Sequence, residues 1–484
     1  MSNAVMLQAF EWNLPNDSNH YKWLADSTPE FKELGLAAIW LPPFCKATSN
    51  SDVGYGIYDL FDLGEFDQKG SVRTKYGTKE ELQHAIKTLQ AAGLQVYADV
   101  VLNHKAGADK AEVFAAVPQN PENRLEQISE MRDIKAWTYF DFRGRQGKYS
   151  DFVWNFNHFT GVDYDEFTGE HGIFRIVGDN KYWAEGVSSE RGNYDYLMFA
   201  DIDHEHPDVQ REIKDWLNWM IQETEVDGLR FDAIKHIEDK FIADVVSQLY
   251  ETWAEKNLFL FGEYWAFDPG ATNHFLEQTE YELHLFDVVL HFNMQNASLG
   301  GSDYDLRTIF DNTLVQQHPD KAVTFVDNHD SQRGQSLESW VDEWFRPHAH
   351  AIILLRKDGY PCIFFGDLYG IGGQEAWPNS YDTVAEMIRL RHTYAWGEEV
   401  DLPTDDHEIL AWSRSGDEEH PGGLLAILNS GGDKEMHFTV AQGHPGQSFR
   451  DAMFHSDQIV ELDDERSAVF PIKAGSVSVW VPTE

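Results

Sequence analysis

The chain has 484 residues, 42% of them hydrophobic and 14% aromatic, enough to bury a large core in two or three domains and too many for a disordered polypeptide. Against 38 basic residues stand 82 acidic ones, a formal charge of −44 that repels nucleic acid and anionic membranes and suits a neutral substrate. No apolar run reaches the roughly 18 residues of a membrane-spanning helix.

The N-terminus lacks a basic segment and enters a strand pattern at once, so no signal peptide is read. The expected location is cytoplasmic, or secreted if a leader has been removed. Cys45 and Cys362 read as two buried thiols, with a disulfide between them as the alternative. The acidic excess fits an ordinary acidic surface and equally an adaptation to high salt, where ions screen the self-repulsion.

In chain order, short apolar segments alternate with helical patterns. Strands are expected at residues 5–10, 37–41, 94–101, 228–231, 258–261, 288–292, 322–326 and 362–365, with helices at 21–34, 78–92, 209–223 and 240–255 among those between them. Near-continuous apolar strands alternating with helices mean a parallel sheet covered by helices, and eight such units favour a (β/α)8 TIM barrel over an open doubly wound sheet. Gly54-Tyr-Gly56 is too weak a glycine pattern for a dinucleotide site. The interval from 105 to 206 is too long for a loop and reads as an inserted, irregular, β-rich domain after strand 3. After Trp396 short strands separated by Gly, Asp and Pro turns predict an antiparallel β-sandwich. The expected domains are therefore a barrel at 1–104 and 207–396, an insert at 105–206 and a sandwich at 397–484.

A barrel places its chemistry where strands end. Asp99 and Asn103-His104 end the third strand, Arg230 and Asp232 the fourth, Glu263 the fifth, and Asp327-Asn-His-Asp330 the seventh. Several acids converging on one rim repel one another, a cost usually tied to catalysis or a metal. Arg230 and Asp232 share one strand face, and the cation should keep that carboxylate ionised. Glu263, between Phe261 and Tyr264-Trp265, reads as an acid in an apolar setting that keeps it protonated near neutrality. Two carboxyls pushed apart in this way match glycoside hydrolysis, with Trp12, Tyr55 and Trp265 as flat faces for sugar rings.

Four segments carry a family resemblance: Asp99-Val-Val-Leu-Asn-His104, Gly228-Leu-Arg-Phe-Asp-Ala-Ile-Lys-His236, Phe261-Gly-Glu-Tyr-Trp265 and Phe325-Val-Asp-Asn-His-Asp330. They resemble the signatures of the α-amylases of glycoside hydrolase family 13, most closely the liquefying bacterial subgroup, and the likeness runs nearly end to end. The resemblance implies Asp232 as nucleophile, Glu263 as general acid/base and Asp330 as third carboxylate. His104, Arg230 and His329 would hold the sugar at the cleavage subsite, Tyr55 would stack under it, and Lys235 with His236 would serve the leaving-group side. The implied partner is an α-1,4-glucan (starch, glycogen or maltodextrin), cut internally with retention by a monomer that binds neither nucleic acid nor membrane. A 4-α-glucanotransferase or a maltooligosaccharide-forming amylase is the alternative within the family.

The resemblance also implies one structural Ca2+ held by Asn103, Asp195, Asp201 and the His236 carbonyl. The subgroup's further calcium–sodium–calcium cluster is expected to be absent or degraded, since Thr160 and Ala184 stand where its carboxylates belong, although Asp203 and Glu205 remain. Asp163-Tyr-Asp165 begins like a calcium-binding helix–loop–helix motif but has Thr168 at the position that requires glycine. His204 and His206 lack zinc-ligand spacing and read as surface residues.

Overall fold

The computed structural model describes residues 3–441 and 443–483. Eight strands, β1 (Met6–Gln8), β2 (Ala38–Trp40), β3 (Gln95–Val100), β4 (Gly228–Phe231), β5 (Phe259–Gly262), β6 (His284–Phe286), β7 (Ala322–Phe325) and β8 (Tyr360–Phe364), close into a barrel in the order β1-β8-β7-β6-β5-β4-β3-β2. The helices following them in turn are α1 (His20–Glu33), α2 (Lys79–Ala91), α3 (Pro207–Thr224), α4 (Asp239–Thr252), α5 (Pro269–Gln278), α6 (Val288–Gly300), α7 (Arg346–Leu355) and α8 (Tyr381–Tyr394). This is the TIM-barrel alternation expected from the sequence. The chain forms two compact units, residues 15–29 with 39–285, and residues 1–14, 30–38 and 286–484.

Local sequence accounts for the element ends. Thr78 caps α2 and makes a reciprocal capping box with Glu81, while Leu82, Ala85, Ile86 and Leu89 bury one face at helical spacing. Pro207 opens α3, where a missing N–H costs nothing, and Val209, Ile213, Trp216, Leu217 and Met220 form its buried stripe.

One expected strand is corrected. Residues 288–292 form the first turn of α6, capped by the Asp287 carboxylate accepting from Leu290 N at 3.0 Å. The sixth strand is His284–Phe286, just upstream. Val288, Val289, Leu290 and His291 are all buried, so the run shows no polar face from which its period could be read.

Within the first unit, the long interval folds as a seven-stranded antiparallel sheet. Its longest strand, Lys110–Asn120, pairs with Glu170–Ile176, Asn123–Gln127 and Arg132–Tyr139, a more regular arrangement than the sequence suggested. In the second unit, a six-stranded sheet and the pair Lys434–Thr439 and Ser467–Ile472 bury Ile409, Leu425, Ile427, Phe438, Phe470 and Trp480 in one core. Cys45 and Cys362 are free, buried thiols.

Candidate active site

The register of β3, β4 and β5 aligns their chemistry. Arg230 lies opposite Asp99 on one side and Phe261 on the other. Beyond the strands the ladder continues: Asp232 N donates to Val100 O at 3.0 Å, Glu263 N to Phe231 O at 2.9 Å, and Ile234 N to Glu263 O at 3.0 Å. Ala233, directly after Asp232, sits at φ 50°, a left-handed conformation unusual for a residue with a Cβ. It turns the chain sharply into the single turn Ile234–His236.

Arg230, with 0% of its surface exposed, joins three carboxyl groups. Its Nη1 donates to Asp99 Oδ1 and Oδ2 at 3.0 and 3.2 Å and to Asp232 Oδ1 at 2.6 Å, and its Nη2 donates to Glu263 Oε2. The purely apolar setting expected for Glu263 is therefore corrected, because a guanidinium from the neighbouring strand holds it. Burial raises the Asp99 pKa to about 7, with Arg230 opposing and Asp232 adding to the rise. Trp40 Nε1 and Tyr55 OH complete the Asp99 shell at 3.1 and 3.0 Å. The Tyr55 hydroxyl is thus anchored on Asp99, and its carbonyl meets His104 Nε2 at 2.9 Å. Burial keeps His104 below its ordinary pKa and so neutral near pH 7.

On the other side, Lys235 Nζ reaches both Glu190 oxygens at 3.2 and 3.1 Å, and His236 Nδ1 lies 2.6 Å from Tyr194 O. Burial, with Lys235 beside it, lowers the His236 pKa to about 3. Trp265 is buried, with little of its ring face open. Glu190 and Tyr194 were not singled out from sequence; they sit in an irregular loop with no periodic signal.

The second unit carries the remaining expected residues at the end of β7 and β1. Gln8 Nε2 lies 2.9 Å from His329 Nδ1, which places the imidazole proton on Nε2, 3.2 Å from Asp330 Oδ2. Trp12 stacks on His329 with centroids 6.1 Å apart and planes within 10°. The Asp330 side chain is 23% exposed. Asp327 faces inward instead: Arg346 Nη1 donates to it at 2.6 Å and Ser331 Oγ at 2.9 Å. Gln8 was missed, although a lone polar residue in the apolar run 5–10 was a visible signal.

A second acidic cluster lies beside His104. Asp195 and Asp201 are fully buried and their pKa values are raised, first by burial and then by nearby carboxylates, Asp195 to about 7. Asp201 accepts from Thr160 Oγ1 and, at 3.4 Å, from Asn103 Nδ2, while Asn103 Oδ1 is buried without a hydrogen-bond partner among the described residues. Two buried carboxyls and an orphaned amide oxygen make an oxygen-only donor set that fits a hard divalent cation. Ala184 N, not a side chain, serves Asp195 Oδ2 at 2.9 Å, and the Lys181 ammonium donates to Asp203 Oδ2 and Asn157 O.

The remaining metal suspicions are resolved by hydrogen bonding. Asp165 accepts from Lys135 N, Phe167 N and Thr168 Oγ1 at 2.9–3.1 Å, closing a hairpin. His204 is buried, a correction to its reading as a surface residue. Its Nε2 meets Leu102 O at 3.1 Å and its ring packs on Phe241. His206 meets His158 and Asp208 in a cluster that spacing did not reveal. Both Nδ1 atoms accept backbone N–H groups, from Asn155 at 3.0 Å and Asp208 at 3.2 Å, so the protons sit on Nε2, the wrong tautomer for ligation there.

A parallel barrel with acids gathered around a buried arginine at its strand ends fits a hydrolase of the glycoside-cleaving class. The family described as "Alpha amylase, catalytic domain" matches residues 24–415. An α-amylase of Geobacillus stearothermophilus is 45% identical over 99% of this chain and 87% of its own length. A glucan 1,4-alpha-maltohexaosidase of Bacillus sp. (strain 707) is 44% identical over 99% and 92%, and the cytoplasmic α-amylase of Escherichia coli (strain K12) 39% over 100% of both. An Anoxybacillus α-amylase structure covers 100% of this chain and 96% of its own with a TM-score of 0.66 at 16% identity, a likeness of fold. The chain belongs to the α-amylase family and is a glycoside hydrolase. Calcium binding is general in that family.

Proposed function

We infer that the chain is an endo-acting α-amylase that hydrolyses internal α-1,4 bonds of starch, glycogen or maltodextrins with retention, acting as a monomer. The observation that carries this is Arg230 bridging Asp232 and Glu263 through its two terminal nitrogens. One guanidinium spanning both acids favours the close spacing of retaining enzymes, roughly 5–5.5 Å, over the wider gap of inverting ones.

In this reading Asp232 attacks the anomeric carbon while Glu263 gives its proton to the departing glycosidic oxygen. Glu263 then takes a proton from water, which releases the sugar from Asp232. Arg230 engages Glu263 through Oε2, and we assign the transferred proton to Oε1. Asp330, beside His329 and Trp12, is the third carboxylate and steadies sugar hydroxyls. His104, neutral with its Nε2 proton on the Tyr55 carbonyl, can only accept from a sugar hydroxyl through Nδ1; Tyr55 presents its ring, and Lys235, His236 and Trp265 line the leaving-group side. Asn103, Asp195, Asp201 and the His236 carbonyl would hold one Ca2+. Bound there, the ion supplies charge neutralisation and ties the end of β3 to the insert. Thr160, Ala184 and the Lys181–Asp203 pair favour a single site over an extended cluster.

The Escherichia coli relative, matched over its whole length, favours the cytoplasm as the working compartment; recovery of the native enzyme only from culture medium would overturn that. The maltohexaosidase relative favours a second reading in which one oligosaccharide dominates the products. The primary test is the configuration of the first product: NMR within one turnover half-life should show the α-anomer. An initial β-anomer rejects the retaining mechanism. Chromatography of starch products, with and without added maltose, separates endo cleavage from oligosaccharide formation and chain transfer.

A further inference from the structure

The inserted sheet carries a concavity of about 290 Å³ between its edge strand Asn123–Gln127, the strand Glu170–Ile176 and the loop that follows. Two guanidiniums, Arg124 and Arg175, line it, and Glu185 is the one carboxylate among its walls. Neither arginine makes an ion pair with a carboxylate among the described residues. Arg124, 5% exposed, stacks over Tyr194 and Tyr196 at 5.4 and 5.8 Å, with Nε and Nη1 buried and lacking hydrogen-bond partners among the described residues. Arg175 donates through Nη1 to Lys181 O at 3.0 Å.

In a chain where acids outnumber bases 82 to 38, two arginines that line one concavity with no ion-paired carboxylate among the described residues call for an explanation. A buried guanidinium is costly unless an anion compensates it, and its planar fork matches the oxygens of a phosphate or carboxylate. The rim adds different chemistry. Tyr182 is 74% exposed, an open aromatic face, and the exposed Gln127 and the Asn193 amide stand beside it. Asn193 already donates to Ala184 O and accepts from Asp195 N, so it is fixed in place. An aromatic face with amide groups suits the apolar face and hydroxyls of a pyranose.

We propose that this concavity is a binding site for a phosphorylated sugar, its phosphate on Arg124 and Arg175 and its ring on Tyr182. The site stands apart from Asp232 and Glu263 in sequence and in lining, and it does not depend on the reading of the catalytic residues. The negative surface weakens anion capture at low ionic strength, and salt at about 0.15 M screens that field beyond about 8 Å.

The test is calorimetric titration of the full chain at that ionic strength with glucose 1-phosphate, and separately with inorganic phosphate and with glucose. The ester should bind about tenfold more tightly than either fragment, and Arg175→Gln should weaken it about tenfold, the worth of one charge-assisted hydrogen bond. Tyr182→Ala, at an exposed position, should weaken the ester and leave phosphate binding unchanged, and both variants should hydrolyse starch at the parent rate. No binding of the ester, binding untouched by either variant, or phosphate binding as tightly as the ester would each overturn the proposal. Tyr182→Ala decides the matter if Arg175→Gln fails to fold.

Discussion

Gln8 and His329 are separated by 321 residues, yet the amide of one lies 2.9 Å from the imidazole of the other. Gln8 is fully buried, so its side chain has no solvent alternative and fixes which ring nitrogen carries the proton. Gln8→Leu should lower kcat on starch about tenfold, the rate equivalent of one buried hydrogen bond, with KM little changed. An unchanged kcat in steady-state assays would remove the positioning role.

Asp232→Asn keeps size and shape and removes the attacking charge. Turnover should fall by several orders of magnitude, as about 10⁴-fold or more is typical when a covalent nucleophile is lost. The melting temperature should stay close to that of the parent, since Arg230 retains Asp99 and Glu263. Near-normal activity in a preparation free of contaminating amylase would refute the assignment.

These positions were legible because each signal is local: an acid at the end of an apolar strand, or an acid two residues after an arginine. The fold was legible for the same reason, through the seven apolar runs that became barrel strands and the helices between them. What stayed hidden depends on long-range meeting or on missing polarity. His158 and His206 lie 48 residues apart and join only when the insert folds, and the arginine-lined concavity has no periodic signature. Residues 288–292 defeated the period argument because Val288, Val289, Leu290 and His291 are all inside.

Chelation tests the oxygen cage around Asp195 and Asp201. Removing calcium should lower the melting temperature and adding it back should restore it, since a ligand at a hundred times its Kd contributes about 2.7 kcal/mol. Asn103→Ala should abolish that calcium-dependent shift in a thermal melt. A parent protein whose melting temperature ignores both chelator and calcium would contradict the site.

His348 on α7 is buried, stacked on Phe345, and within 3.1 Å of Asn429 O in the C-terminal sheet. Burial lowers its pKa to about 4, so it folds neutral. An unfolded histidine titrates near 6.5, so the unfolded chain binds the extra proton first. Stability is therefore full above that pH and is lost as pH falls from there towards 4, by up to about 1.4 kcal/mol per pH unit. His348→Gln should flatten the acid limb of a plot of melting temperature against pH relative to the parent. Parallel curves would exclude this histidine as a contributor.

With a formal charge of −44, the folded surface repels itself. Raising sodium chloride from low concentration to about 1 M shortens the screening length to about 3 Å and should raise the melting temperature. A flat or falling curve would remove the case for salt adaptation.

Because a single cation grips acids from three successive strands, the mouth of the barrel behaves as one electrical object. Neutralising any one of those acids redistributes the grip over the other two, so an engineer trading one side chain there retunes its neighbours as well. Selectivity changes are better sought in the loops that surround this knot than in its strands.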